Sequence, residues 1–332
     1  PSLVGSEMCI RDRLKENGTG GKTPMTTNAI QSSHIYSTYF APRGRSRIYT
    51  LGMQIAQLYL SPFDQIIGFI GEAGSGKSVL IKGMFPGIEL TNDDDGVNVR
   101  PLPLLEQEYE TGFFTPHTYH LDIRFETGFH QLSELADAVR LAVRRGKRII
   151  IEHFDLIYPL LGVNANLLIG VGEQIVITRP NLFGPLPQEL CDIVYPSLAY
   201  RLMAHSAEDL CEYAMTQEQM LACSHGDIRH GFVLEFNEHQ PDIDIPTLEA
   251  RVNELIRQDL PIDYYDESHI LLGGAQHYCT GPRTHVRSTG RIIGFRLLDH
   301  FIYDHFHKTY MLVGCVGDDS EENIRKLETI HG

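Results

Sequence analysis

The sequence predicts an α/β domain with a mostly parallel sheet over residues 34–200, followed by a second domain over residues 201–332. Short apolar runs of strand length alternate with helical segments, a Gly-rich loop joins one strand to one helix, and this alternation stops near Tyr200. Residues 1–33 read as a flexible leader without a hydrophobic period. Within it, 1–13 resemble a translated sequencing adapter, and Met25 is the expected start.

Composition excludes several classes of protein. The chain has 332 residues, 42% hydrophobic and 21% charged, which is typical of a globular protein rather than a disordered or fibrous one. No apolar run approaches the length of a membrane helix, and a net charge of −15 argues against an overall attraction to nucleic acid or anionic lipid. Six scattered cysteines suit a reducing compartment, so we expect a soluble, cytoplasmic protein with no membrane partner.

The elements of the first domain follow from apolar periodicity and from breakers. A helix that Pro86 and Gly87 end is predicted over 77–85, and an amphipathic helix that Gly146 closes is predicted over 133–145. Strands are predicted from short apolar runs at 65–70, 88–90, 119–125, 148–151 and 174–178.

The loop between the first strand and the first helix fits the Walker A spacing in full. Its residues are Gly71, Glu72, Ala73, Gly74, Ser75, Gly76, Lys77 and Ser78. The glycines allow backbone N–H groups to surround phosphates, Lys77 would reach the β and γ phosphates, and the Ser78 hydroxyl would hold Mg²⁺. The loop therefore predicts binding of a nucleoside triphosphate, ATP or GTP, with Mg²⁺.

Such a loop needs acidic partners, and the sequence offers two sets. Glu152, at the end of the strand 148–151, is the expected metal-side carboxylate, with Asp155 in reserve. Asp93 and Asp94 follow the strand predicted at 88–90, where a carboxylate could accept a hydroxyl proton or hold a Mg²⁺ water. The alternative for the acidic run 93–95 is a solvated turn before Gly96.

Two arginines are candidates for a contact with the transferred phosphate. Arg179 directly follows the strand predicted over 174–178, and Arg201 lies 22 residues further along the chain.

These motifs together resemble P-loop kinases of the uridine kinase and phosphoribulokinase type, over residues 66–179. The resemblance implies an ATP-dependent phosphotransferase in which Lys77, Asp93, Asp94 and Glu152 are catalytic and Ser78 with Glu152 holds Mg²⁺. No adenine-specific pattern accompanies the motifs, so the choice between ATP and GTP stays open.

Several segments beyond Tyr200 resemble the second additional domain of alanyl-tRNA synthetase and its free-standing editing relatives. The resemblance rests on a strand at 231–236, a helix with Val252, Asn253 and Glu254 at 248–261, and the Thr-His-Val, Thr-Gly and Ile-Gly-Phe pattern of 284–295. It covers residues 202–317 and implies an α+β domain.

The resemblance also implies a zinc site. The expected ligands are His205 and Asp209, one helical turn apart, together with Cys279 and His285. Two positions depart from the family: Asp209 stands where a second His is expected, and the Cys expected four residues before His285 is Gly281.

The segment 268–298 is basic, with no acidic residue. Its arginines could contact a tRNA end or another phosphorylated ligand, or could form the solvent face of a strand; they are Arg283, Arg287, Arg291 and Arg296. A cluster of His300, His305 and His307 lies among aromatic residues, where a metal is conceivable but not expected.

Three functions stay open from the sequence. The first is phosphoryl transfer to a small hydroxyl-bearing acceptor that the second domain selects. The second is a metal-dependent aminoacyl-tRNA deacylase that nucleotide gates, and the third is a nucleotide-dependent sensor of an amino acid or tRNA without turnover.

Overall fold

The structure is a computed structural model that describes residues 36–90, 117–237 and 239–331. Its larger sheet contains six strands: β1 (Tyr36–Phe40), β2 (Ile66–Ile70), β3 (Thr118–Asp122), β4 (Arg148–Glu152), β5 (Leu167–Val171) and β6 (Gln174–Thr178). Their order across the sheet is β1, β6, β5, β2, β4, β3. The four strands β5, β2, β4 and β3 are parallel, whereas β6 and β1 are each antiparallel to their neighbours. The predicted mostly parallel sheet is therefore present.

The central strands are buried on both faces, which explains their continuous apolar sequences. Alternate side chains of each strand enter different cores. Ile67 and Phe69 pack with two helices on one face, α1 (Arg45–Tyr59) and α2 (Lys77–Met84). Ile66 and Ile70 pack on the other face with α4 (Leu132–Arg144) and α5 (Phe154–Leu161), which follow the short α3 (Ile123–Glu126).

One long helix, α6 (Pro187–Ala214), contributes to two cores. Its first half places Leu190 and Val194 in the core of the larger sheet. Its second half places Ala207 and Leu210 in the core of the C-terminal part. The helix is therefore continuous across the predicted boundary at residue 200.

The C-terminal part is built on two antiparallel sheets. One contains β7 (Cys223–Ile228), β8 (Gly231–Asn237), β12 (Arg296–Leu297), β13 (Ile302–Asp304) and β14 (Thr309–Cys315), and the other contains β9 (Ile262–Asp266), β10 (His269–Leu272) and β11 (Ala275–Tyr278). The helices are α7 (Gln217–Ala222), α8 (Ile245–Arg257) and α9 (Ser320–His331), with a 3₁₀ turn at Thr289–Arg291.

Two strand predictions are wrong. Residues 88–90 form no strand; the segment leaves the turn at Pro86 and Gly87 as irregular chain. The strand expected over 119–125 ends at Asp122, because the Asp122 side chain accepts a hydrogen bond from Phe125 N and starts α3. None of the helices in the described ranges combines the length and the apolar character that crossing a membrane requires.

Candidate functional site

The predicted phosphate-binding loop lies between β2 and α2, at the carboxyl edge of the parallel strands. Gly74 and Gly76 have φ of 80° and 87°, a left-handed conformation that costs a glycine little and other residues much more. Helix α2 begins directly after Gly76, so its first backbone N–H groups face the loop. An anion in the loop would meet these donors and the positive end of the helix dipole.

Lys77, Ser78 and Glu152 meet beside this loop. Lys77 Nζ donates to the carbonyls of Gly71 and Glu72, at 2.9 Å each, and lies 3.7 Å from Glu152 Oε2. Ser78 Oγ donates to Glu152 Oε1 at 3.3 Å. Strand β4 pairs with β2 in a register that places Glu152 opposite Phe69. The Glu152 carboxylate therefore lies near the start of the loop.

Glu152 is buried yet ionised. Burial raises its pKa, but a hydrogen bond from His120 and the nearby positive charge of Lys77 lower the pKa to about 2. His120 Nε2 lies 3.1 Å from Glu152 Oε1. Burial lowers the pKa of Lys77, while Glu152 and Asp122 oppose that change. A carboxylate and an ammonium, both with buried side chains, therefore face each other beside the loop.

The ends of β3 and β4 add groups that the sequence analysis missed. Asp122 lies opposite Glu152 in the register, and oxygen and nitrogen atoms of Asp122, Glu152 and His153 lie within 4.8 Å of one another. Burial lowers the pKa of His153 to about 4, which leaves its imidazole neutral at pH 7. The polar residues His120 and Asp122, two apart in an otherwise apolar strand, were the available signal.

Arg201, on α6, holds the phosphate-binding loop from the other side. Its Nη1 donates to Ser75 O at 2.6 Å and its Nη2 to Pro42 O at 2.7 Å. Burial lowers the pKa of Arg201 to about 10, so the guanidinium stays charged at pH 7. Arg201 also lines the cleft described next, but its bonds in the structure are to backbone carbonyls, and its contact with a phosphate stays a prediction.

A cleft of about 280 Å³ opens over the phosphate-binding loop. One wall contains the loop, Asp122, Glu152 and His153. The opposite wall comes from the C-terminal part and consists of Tyr264, Glu267, Gly281, Pro282, Arg283 and Thr284. The Arg283 guanidinium lies over the Tyr264 ring, 4.4 Å from its centre. Aromatic and cationic groups thus face the phosphate-binding loop across the cleft.

Other predicted residues of this site have different outcomes. Arg179 is wrong as a phosphate contact: it pairs with Asp64 at 2.7 Å, at the opposite edge of the sheet, because β6 runs antiparallel to the central strands. Asp155 lies on α5 and accepts a hydrogen bond from Tyr195 at 3.3 Å, outside the cleft lining. Asp93 and Asp94 lie outside the described residues.

The four residues predicted as zinc ligands lie together, with buried side chains. Cys279 Sγ is 3.5 Å from His205 Nε2 and 3.2 Å from His285 Nε2. The Asp209 oxygens are 3.8 Å from His205 Nε2 and 3.5 Å from His285 Nε2. Helix α6 supplies His205 and Asp209 from successive turns, and the chain after β11 supplies the other two. We call these four residues the tetrad.

The tetrad fits a tetrahedral zinc ion. Donors about 2.0–2.3 Å from zinc at tetrahedral angles are separated by about 3.3–3.6 Å, close to the separations found here. Asp209 Oδ2 is buried with no hydrogen-bond partner in the described part of the chain. His205 Nδ1 donates to Thr284 O at 2.9 Å, which turns the Nε2 lone pair toward the other donors. Four protein donors complete the shell, as in structural rather than catalytic zinc sites.

Burial keeps the tetrad neutral when only protein surrounds it. It lowers the pKa of His205 well below its ordinary value and that of His285 to about 3. It raises the pKa of Asp209 and of the Cys279 thiol. A divalent cation would reverse the last two effects, because it favours the carboxylate and the thiolate.

The departure at Gly281 has a structural reason. A Cβ at this position would lie 2.2 Å from Arg43 O and 2.9 Å from His205 Cε1, so no cysteine fits there. Cys279 supplies the sulfur instead, and Gly281 N donates to Cys279 Sγ at 3.2 Å.

The four arginines of 268–298 are exposed but do not share one site. Arg283 lines the cleft, whereas Arg296 pairs with Glu249 at 3.3 Å in a different groove. Arg287 and Arg291 lie outside the lining of both. Of the three late histidines, His305 and His307 lie in the turn after β13, and His307 pairs with Asp304 at 2.6 Å.

A scan against protein-family models and a search of curated proteins both find no match for this chain.

Proposed function

We propose that the chain is an ATP-dependent phosphotransferase of the P-loop kinase kind, acting on a small hydroxyl-bearing acceptor. The observation that supports this most is the meeting of Lys77, Ser78 and Glu152 at a glycine-rich loop that opens into a cleft. GTP is the alternative donor, since no adenine-specific pattern accompanies the motifs in the sequence.

The roles of the residues follow from their positions. The loop N–H groups bind the phosphates, and Lys77 Nζ exchanges the carbonyls of Gly71 and Glu72 for phosphate oxygens. Ser78 and Glu152 offer the oxygen ligands that Mg²⁺ prefers, and Mg²⁺, when bound, neutralises charge that develops on the phosphates. The site therefore acts by positioning and electrostatics.

The acceptor hydroxyl would lie toward the ends of β3 and β4. There Asp122 and His153 can accept a hydrogen bond from it, since His153 is neutral at pH 7. Asp93 and Asp94 stay candidates for the same role. The opposite wall, with Tyr264 and Arg283, would select the acceptor or the nucleotide.

The other two functions use the tetrad. An aminoacyl-tRNA deacylase needs an open metal position for its water, and four buried protein donors leave none. We therefore give the tetrad a structural role with zinc, and rank a nucleotide-dependent sensor of an amino acid or tRNA, which needs no turnover, above the deacylase. A contact of tRNA with Arg283, Arg287, Arg291 and Arg296 belongs to these alternatives.

The experiment is nucleotide turnover by the full chain with Mg²⁺ and ATP or GTP, in the presence of pooled amino acids, nucleosides or tRNA. We expect one pool to stimulate turnover, and Lys77→Ala to abolish it. Lys82→Ala, on the same helix but outside the cleft lining, is the matched control and should retain turnover.

Tight ATP binding with no stimulation by any pool would contradict the kinase and favour the sensor. Release of amino acid from aminoacyl-tRNA that survives Lys77→Ala and fails in His285→Ala would favour the deacylase.

A further inference from the structure

The segment 280–284 lies between two members of the tetrad, Cys279 and His285, and also forms part of the cleft wall. We call this segment the strap. Like α6, which carries both Arg201 and two members of the tetrad, the strap contacts the tetrad and the surroundings of the phosphate-binding loop.

On the tetrad side, backbone groups of the strap form hydrogen bonds with two tetrad residues. Thr284 O accepts the hydrogen bond from His205 Nδ1 at 2.9 Å, and Gly281 N donates to Cys279 Sγ at 3.2 Å. These bonds depend on the orientation of the His205 ring and on the sulfur position. A metal ion that joins both donors would fix both orientations.

On the cleft side, the strap packs against the N-terminal part. Arg45 N donates to Thr280 O at 3.1 Å, and Gly281 approaches Arg43 O so closely that a Cβ would lie 2.2 Å from it. At the loop itself, a Cβ on Gly74 would lie 3.6 Å from Arg283 O. The strap therefore approaches the loop at a distance where a bound nucleotide would touch both.

We infer that the strap is part of the nucleotide-binding site, with Arg283 as a nucleotide-contacting residue, and that zinc in the tetrad holds the strap in its binding position. This inference rests on the proposed function, because it needs a nucleotide at residues 71–78. Zinc then raises the affinity for ATP, and by reciprocity ATP slows the release of zinc.

The test compares the full chain loaded with one equivalent of Zn²⁺ and the same chain after zinc removal by a chelator. ATP affinity is measured by calorimetry, and zinc release is followed with a chromogenic chelator, with and without ATP and Mg²⁺. We expect ATP to bind the zinc form at least about fivefold more tightly, the lower end of common couplings between sites. We expect ATP to slow zinc release by a similar factor.

Two variants separate the metal from the strap. Cys279→Ser should lower zinc content and ATP affinity together, whereas Cys315→Ser, a buried thiol outside the tetrad, should change neither. Arg283→Ala should keep its zinc and lose about tenfold or more in ATP affinity, the effect of one charge-assisted hydrogen bond. Arg287→Ala, exposed and outside the cleft lining, is its control.

The outcomes are distinct. Equal ATP affinity in the zinc-loaded and zinc-free chain, with unchanged zinc release, overturns the inference and leaves the proposed function standing. Unchanged ATP affinity in Arg283→Ala overturns the role of the strap even if Cys279→Ser does not fold. If neither ATP nor GTP binds to either form in the presence of Mg²⁺, the proposed function is removed, and the inference with it.

Discussion

At Glu152, a carboxyl group whose pKa burial alone would raise stays ionised because of a hydrogen bond from His120 and the positive charge of Lys77. His120 lies 3.1 Å from one oxygen, and Lys77 lies 3.7 Å from the other. A buried pair of this kind stabilises little beyond its own desolvation, but removing one partner leaves the other charge without compensation. The arrangement keeps Glu152 charged and oriented beside the loop.

The ionisation of Glu152 should affect how the free energy of unfolding changes with pH. Folding lowers the pKa of Glu152 from 4.5 to about 2, so the unfolded chain binds more protons in this window. Its contribution is complete above pH 4.5 and is lost as the pH falls toward 2. Between pH 5 and pH 3 we expect the wild type to lose about 2 kcal/mol of unfolding free energy from this group, and Glu152→Gln to lack that loss.

Urea unfolding of both proteins between pH 5 and pH 3, without nucleotide, measures the difference. Glu218→Gln, an exposed carboxylate on α7, should follow the wild type closely. Parallel pH profiles for wild type and Glu152→Gln would mean that Glu152 is not the ionised group.

Arg201 is the second residue whose removal should have a large effect. Its guanidinium donates to the carbonyls of Ser75 and Pro42, and it is fully buried. Arg201→Met would leave these acceptors without a donor, at about 1–3 kcal/mol each. We expect a lower melting temperature and at least about tenfold weaker ATP binding, measured by calorimetry. Arg144→Met, exposed on α4, should change neither, and ATP affinity retained in Arg201→Met would show that the loop keeps its shape alone.

Among the elements, α6 and the chain after β11 build the tetrad from opposite directions. The helix sets His205 and Asp209 on one face by their spacing, and Gly281 lets the returning chain approach Arg43. Neither element alone contains enough donors for a tetrahedral site.

Cobalt substitution should report this arrangement. With Co²⁺ in place of zinc, the full chain should show the absorption of a tetrahedral site with one thiolate ligand. Cys279→Ser should lose the sulfur-to-metal band, His205→Ala should lower metal stoichiometry below one, and His300→Ala should leave both unchanged. A six-coordinate cobalt spectrum would contradict the closed tetrad.

The elements also show what the sequence could reveal. The loop 71–78 was predictable because its glycines, lysine and serine have fixed spacing, and β4 was predictable as a fully apolar strand. The connection between β5 and β6 indicates that the two strands are antiparallel. Only Gly172 and Glu173 separate them, which is too short for the crossover that joins parallel strands. The prediction of a strand at 88–90 was wrong because these three residues, which follow a Pro-Gly turn, pair with no neighbouring strand in the described part of the chain.

The sequence predicted the phosphate-binding loop and the tetrad separately, but not that the strap joins their surroundings. The tetrad came from a family resemblance, and its sulfur could be assigned to Cys279 only because Gly281 carries no side chain. Arg201 and Arg283 were candidates by residue type, but their place at the cleft, like that of Tyr264, depends on contacts between distant parts of the chain that local sequence pattern does not reveal.

At the scale of the molecule, the described residues form one compact unit, and α6 runs through the predicted boundary at residue 200. Arg43 donates to Gly231 O at 3.2 Å and pairs with Glu208 at 3.1 Å. The division into domains at 34–200 and 201–332 stays a prediction, but these contacts argue that the two parts depend on each other.

Separate expression of the two parts tests this dependence. We expect the full chain to unfold in one transition by circular dichroism and by tyrosine fluorescence. We expect the fragment 34–200, which lacks Arg201 and the strap, not to bind ATP. The fragment 201–332 begins in the middle of α6 and should be less stable than the full chain. A fragment 34–200 that binds ATP with full affinity would instead support two independent domains.

The bond between Arg201 and Ser75, 126 residues apart in sequence, also has a consequence for synthesis on the ribosome. The phosphate-binding loop leaves the ribosome long before α6 and the strap do. Until those segments have been synthesised, ATP cannot stabilise the nascent chain, because a ligand stabilises only the fold that binds it. Nucleotide binding can therefore stabilise only a nearly complete chain. Before that point, the segments synthesised first depend on their own local structure to avoid aggregation.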